Sequence, residues 1–214
     1  MKKAFTLSEV LITLGIIGVI AALTIPTLIN NYQKKVAITA AKKAYSTLSQ
    51  AYTLVLNNNE DGASVCETND SECLADLFAP ILKSVKGKLW VPNSEIAEGC
   101  WEDNDIDMVN ETHYCFSAMD GISYDFDMEF QRGNSRQAII YVDINGPKKP
   151  NRFGKDRFTF LIIELKILPS KNLTSIRDQG YNNAIYKCMD GKITSDGLSY
   201  RNNYGCAYKY IYEP

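Results

Sequence analysis

The stretch that most constrains this chain is VLITLGIIGVIAALTIPTLI, Val10–Ile29, 20 residues without a charge. About 20 apolar residues, rising 1.5 Å each along a helix, cross the hydrocarbon of a bilayer. A cleaved secretory signal fits less well, because its apolar core runs roughly 7–15 residues and a small-residue cleavage site should follow it. A single-pass anchor fits the length. Lys2 and Lys3 precede it, which favours a cytoplasmic N-terminus and export of everything after residue 30. One residue resists this reading. Glu9 stands immediately before the uncharged run, and a charged side chain in a bilayer costs roughly 2.5–3.5 kcal/mol on insertion scales and calls for a partner.

Setting aside the apolar run and the short basic start leaves about 185 residues, enough for one domain with a sizeable core. The net charge is −2, from 25 acids and 23 bases, so the chain as a whole carries no electrostatic footprint for nucleic acid or anionic lipid. All six cysteines, Cys66, Cys73, Cys100, Cys115, Cys188 and Cys206, follow the apolar run. An even count confined to the exported part points to disulfides formed in an oxidising compartment. The sequence does not choose among the pairings; the most local set joins Cys66 to Cys73, Cys100 to Cys115 and Cys188 to Cys206. A zinc site is the competing reading. It lacks a Cys-x-x-Cys pair, and His113 is the single histidine.

Glu9 finds a role if the chain is cut between Ala4 and Phe5. The new N-terminal amine of Phe5 then lies four residues before the carboxylate, which can pair with its own amine or with that of a neighbouring copy. Pairing between copies is a register device, since an unpaired charge in lipid is costly. These residues carry a family resemblance. KKAFTLSEVLITLGIIGVIAALTIP resembles the N-terminus of type IV pilins and of the pseudopilins of type II secretion systems. It shares the basic leader, a small residue before the cut, Phe5 as first mature residue, Glu9 as its fifth, the apolar helix and Pro26. It departs at Ala4, where the family usually has glycine.

The resemblance implies a membrane-embedded prepilin peptidase that cuts before Phe5 and methylates its amine. It implies an inner-membrane assembly platform and other pilin or pseudopilin subunits as partners. The location it implies is the bacterial cytoplasmic membrane, single-pass, with a surface or periplasmic filament after assembly. The fold it implies is α+β, a long N-terminal helix packed on an antiparallel sheet. The expected organisation is a leader over 1–4, a membrane and filament-core helix over 5–29, its amphipathic continuation over 30–58 and a globular head over 59–214. No cofactor is required. Gly15, Gly18, Ala21 and Ala22 would let neighbouring helices approach closely, or are simply residues common in membrane helices. Pro26 removes one helical hydrogen bond and is expected to kink or loosen the helix.

Beyond the membrane segment, Val36 and Ile38 open an apolar set, and Ala41, Tyr45, Leu48, Tyr52 and Val55 continue it along one helix face. Asn57–Asn59 and Asp61–Gly62 should stop that helix. SECLADLFAPILKSV reads as a second helix weakened by Pro80, with Leu74, Leu77, Phe78, Ile81 and Leu82 on one side. GCWEDNDIDMVNETHYCF reads as an acidic loop, His113 included, in which Glu102, Asp103, Asp105 and Asp107 invite a calcium hypothesis or form a solvated turn. GISYDFDMEF alternates, which predicts a strand with Asp125 and Asp127 on an exposed face. QAIIYVDI and FTFLIIEL read as further strands of a meander, with QRGNSR as a hairpin turn. The C-terminal segment, with Tyr200, Tyr204, Tyr208, Tyr210 and Tyr212, reads as loop and short strand.

Between two of these strands, Asp143, Asn145 and Asp156 place oxygens as calcium loops do, so a hard cation such as Ca2+ is one reading. The other is a structural turn, since Asn-Gly favours hairpins and Asp or Asn often caps its own turn. The same loop holds Lys148, Lys149, Arg152, Lys155 and Arg157 around Phe153, a basic patch that would suit phosphates or simply water. Nothing looks catalytic: there is no Gly-x-Ser-x-Gly, phosphate loop or His-Glu-x-x-His. The expected role is a structural subunit of a type IV pilus or type II secretion pseudopilus. A minor pilin for DNA uptake or adhesion is the alternative, and a membrane-anchored enzyme or binding domain is a more distant one.

Overall fold

A computed structural model of the chain describes residues 6–67, 70–85, 89–91, 113–128, 137–146, 148–163, 165–170, 188 and 205–213. The chain divides into two compact units, Met1–Val36 and Ala37–Pro214. Helix α1 spans Leu7–Asn58. Its first part, through Val36, is exposed almost all round, and its run from Val10 to Ile29 is apolar, with Leu7, Leu11, Ile16, Ile20 and Leu23 among the uncovered side chains. The apolar run is long enough to cross a membrane. A helix satisfies its own backbone there, and the hydroxyls of Thr13 and Thr24 do likewise, donating to the carbonyls of Glu9 and Ile20 at 2.9 Å. The helix continues through Pro26, which has no N–H to give to the carbonyl four residues earlier.

From Ala37 on, one face is buried: Ala37, Ala41, Ala44, Leu48, Ala51, Tyr52 and Val55. The alternating steps of four and three keep these residues on one stripe. Four of them are alanines, which let backbones approach closely; of these only Ala41 belongs to the apolar set expected from the sequence. Val36, expected on the buried face, is 46% exposed, and Tyr45 is half-buried. The helix stops at Asn58, and the chain turns at Gly62, whose φ is +54°. A Cβ at Gly62 would lie 2.7 Å from both the Tyr52 hydroxyl and Leu56 Cδ2. That hydroxyl accepts the Ala63 N–H at 3.2 Å. Gly62→Ala therefore adds backbone strain to overpacking, and a loss of about 2–4 kcal/mol in urea unfolding of the head is expected.

Helix α2, Ser71–Phe78, starts where the Asp70 carboxylate accepts the Cys73 N–H at 2.9 Å. It ends before Pro80, so the predicted second helix is shorter than read; Leu82 is nevertheless buried and Ile81 half-buried in the turn that follows. The Cys66–Cys73 disulfide staples its first turn to the segment leaving α1. The buried Ser71 hydroxyl accepts the Met128 N–H at 3.0 Å, fixing α2 on the sheet.

Among the described residues the sheet has six strands in chain order, all neighbours antiparallel: β1 Leu89–Val91, β2 His113–Ser117, β3 Ser123–Met128, β4 Gln137–Asp143, β5 Arg157–Ile163 and β6 Lys166–Pro169. The expected meander is present, and the fold is α+β. Tyr124, Phe126 and Met128, with Ala138, Ile140, Val142, Phe158, Phe160 and Ile162, share one core with the α1 stripe and α2. Aromatic rings tie the layers: Tyr52 stacks on Phe78 at 6.0 Å, and Phe78 meets Phe126 at 5.2 Å.

Three readings are corrected. Asp125 and Asp127 do not face water. They are 6% and 5% exposed, because the second face of the sheet is covered as well, with Ile139, Tyr141 and Leu161 buried on it. His113 and the HYCFS segment belong to β2 rather than to a loop. The C-terminal segment ends in helix α3, Cys206–Tyr212, instead of a strand; Tyr210 is buried and Tyr212 exposed, while Tyr200 and Tyr204 lie outside the described residues. QRGNSR also lies outside them.

Candidate functional site

Two places concentrate chemistry. The first is the start of α1. Thr6 and Glu9 form a reciprocal cap: Glu9 Oε2 accepts both the Thr6 N–H and its hydroxyl at 2.8 Å, and the Thr6 hydroxyl oxygen accepts the Glu9 N–H at 3.3 Å. The sequence announces this in the Thr-x-x-Glu spacing of TLSE, which the reading of Glu9 as a lone acid overlooked. The cap satisfies hydrogen bonds but supplies no positive charge. Among the described residues no cation pairs with Glu9. Ala4 and Phe5 lie outside the described residues. A Cβ added at Gly15 or Gly18 would meet nothing within 4 Å, so these small positions are open.

The second place is the loop between β4 and β5, where the structure brings Asp143, Asn145 and Asp156 together. Asp143 ends β4 and faces Arg157, the first residue of β5, across the ladder. Its Oδ2 accepts from Arg157 Nε at 3.2 Å, with the two side chains 0% and 1% exposed. Its Oδ1 accepts the Asn145 N–H at 3.2 Å. Asp156 gathers the rest of the loop, accepting the N–H groups of Asn151 at 2.8 Å and Arg152 at 2.6 Å and the Asn145 amide at 3.4 Å. Gly146, at φ +66°, lets the turn pass the Gly121 carbonyl, 3.0 Å from where a Cβ would stand. Phe153 is buried edge-on against Tyr141, and the buried Tyr210 of α3 donates its hydroxyl to the Gly154 carbonyl at 2.9 Å. α3 is itself held by the Cys188–Cys206 disulfide.

Burial, reinforced by the neighbouring Asp156 carboxylate, pushes the Asp143 carboxyl up to about 7 against the opposing pull of Arg157. The Arg157 guanidinium pairs with Asp143, while Asp156 is held by the N–H groups of its own loop. The oxygens Asn145 Oδ1 and Asn151 Oδ1 are buried without a hydrogen-bond partner, which is the chemistry a hard cation takes. Both carboxylates, however, are engaged by protein N–H groups, and Arg157 already supplies the positive charge. Among the described residues no three acidic, histidine or cysteine side chains gather around a point. The head is therefore expected to melt at temperatures within about 2 °C in EDTA and in millimolar calcium; a rise above ~5 °C with calcium would put a metal among these oxygens.

Other predicted site residues fall as follows. Cys66–Cys73 and Cys188–Cys206 are joined as the local pairing expected. Cys115 is disulfide-bonded, and its expected partner Cys100 lies outside the described residues. So do Glu102, Asp103, Asp105 and Asp107. The basic patch is corrected: Arg157 and Phe153 are buried, leaving Lys148, Lys149 and Arg152 exposed and Lys155 half-buried. No family model, curated protein or solved structure matches this chain. The class defined is an α+β domain joined to one apolar helix long enough to cross a membrane, with disulfides in the domain.

Proposed function

We propose that the chain is a pilin-like structural subunit, cut between Ala4 and Phe5 and assembled into a type IV pilus or a type II secretion pseudopilus. The observation that carries this reading is Glu9, a carboxylate in the first turn of a helix that is apolar and uncovered along the rest of its membrane-length run. Such a helix has two stable fates, burial in lipid or burial among other helices. The acid suits the second, because cutting at Phe5 creates an ammonium at the depth where Glu9 needs a counter-charge. Subunits then enter a bundle only in the register that joins one copy's amine to another's carboxylate. In this reading the protein resides in the bacterial cytoplasmic membrane, N-terminus inward, and a peptidase and an assembly platform handle it before its head reaches the filament surface. Its chemistry is assembly, not catalysis. Mass spectrometry of the protein from membranes or filaments is expected to find Phe5 at the N-terminus, methylated on its amine. Intact Met1 in assembled material would refute the processing.

A further inference from the structure

The described head carries two sets of charges that nothing among the described residues neutralises. Lys148, Lys149, Arg152 and Lys155 lie within eight residues of the β4–β5 loop, and among the described residues none of their side chains makes an ion pair or a hydrogen bond. They are not on a loose tether: Asp156 holds the N–H groups of Asn151 and Arg152, the Lys155 N–H bonds to the Arg152 carbonyl at 3.0 Å, and Phe153 and Gly154 are buried. The loop backbone is thus ordered before any partner arrives, which leaves only the side chains to be ordered on docking. The opposite set is on the segment leaving α1. Glu60, Asp61 and Glu67 are exposed, and their side chains likewise have no partner among the described residues. This segment is also held, by the Cys66–Cys73 disulfide and by the Ala63 N–H on Tyr52.

The register places the two sets at opposite ends of the sheet. The acidic segment leads into α2, whose Ser71 grips Met128 at the end of β3. The basic loop follows Asp143, which pairs with Ser123 at the start of β3, and its Gly146 lies against Gly121. The strand between these anchors is about 17 Å long at 3.3–3.4 Å per residue. The two sets are thus kept apart within one head, and two different patches that meet between copies make a head-to-tail contact, which repeats as an open filament when its rotation does not close a ring.

We infer that the basic β4–β5 loop of one copy docks on the acidic α1–α2 connection of the next, an interface that rests on the filament reading above. A polyanion is the weaker occupant. Phe153, the aromatic among these cations, is 4% exposed and offers no face to a base, and a polyanion would leave the acidic end without a role.

Charge exchange in the full-length protein tests this. Lys148→Glu, Lys149→Glu and Arg152→Glu together reverse the basic end; Glu60→Lys, Asp61→Lys and Glu67→Lys reverse the acidic end. All six side chains are exposed, and an unchanged melting temperature checks that each head folds. Each triple variant is expected to lower the chain recovered in sheared filaments at least ~10-fold, and the combined variant to return it to within ~3-fold of the parent. Parent-like recovery of either triple variant, or no recovery in the combination, overturns the interface while leaving the filament reading intact. A parent that forms no filament removes the filament reading and the interface with it. Loss of binding to a 30-mer oligonucleotide or to phosphatidylglycerol vesicles by the basic-end variant, with normal filaments, assigns the loop to a polyanion instead.

Discussion

Replacing Arg157 by alanine is expected to cost the head about 3–5 kcal/mol, a large share of the roughly 5–15 kcal/mol a domain has. The guanidinium is 1% exposed and lies 3.2 Å from an Asp143 carboxylate that is itself 0% exposed, with Asp156 close by. Without it, the buried Asp143 carboxylate keeps Asp156 as a neighbour and loses its paired cation, and burial in low dielectric is expensive for an unpaired charge. Asp143→Asn is expected to be much milder, since it removes one of the two negative charges and keeps an acceptor for the Asn145 N–H. The pair also sets a pH dependence. Because the Asp143 carboxyl sits at about 7 when folded, above its unfolded value of ~3.9, protonation favours the folded head. This contribution is full below about pH 4 and is lost as pH rises to about 7, a change on the order of 2–4 kcal/mol. Urea unfolding across that range should show the fall in the parent and a flatter profile in Asp143→Asn. An Arg157→Ala head within ~1 kcal/mol of the parent would mean the ion pair is not what holds the loop.

Parts of this architecture were legible because they rest on period alone. The uncharged run, the helix stop at Asn58 and the strands β3, β4 and β5 follow from hydrophobic spacing and turn residues. The disulfides Cys66–Cys73 and Cys188–Cys206 follow from local cysteine spacing. What escaped depends on neighbours far away in sequence. Asp125 and Asp127 look like solvent-side residues of an alternating strand, and only a sheet covered on both faces buries them. Arg157 reads as one more cation in a basic loop until the β4–β5 register sets it opposite Asp143. The close packing of α1 depends on Ala37, Ala44 and Ala51, residues too small to stand out in a hydrophobic pattern. α3 was missed because aromatic residues lower helix propensity, and its seven residues are held by the Cys188–Cys206 bridge and the Tyr210 bond to Gly154. At the candidate site, the triad Asp143, Asn145 and Asp156 was readable, whereas its internal cation was not.

Glu9→Ala is expected to leave membrane insertion intact, or ease it, while reducing entry into filaments by more than ~10-fold. Removing the acid removes a charge that costs roughly 2.5–3.5 kcal/mol in the bilayer, so insertion has nothing to lose. Assembly loses the counter-charge for the Phe5 amine. The cap with Thr6 offers a rival explanation, since losing it also weakens the first turn by about 0.5–2 kcal/mol. Glu9→Gln separates the two. Glutamine serves a capping box as well as glutamate does, but carries no charge. If charge pairing is the role, Glu9→Gln fails to assemble as Glu9→Ala does. Parent-like filaments from Glu9→Gln would leave Glu9 as a helix cap and nothing more.

The most direct measurement is the structure of the assembled polymer at side-chain resolution. The account predicts the Glu9 carboxylate within about 4 Å of the Phe5 amine of an adjoining subunit, the reach of an ion pair. A carboxylate remote from every terminal amine, bonded only to its own Thr6 inside the packed helices, would contradict it.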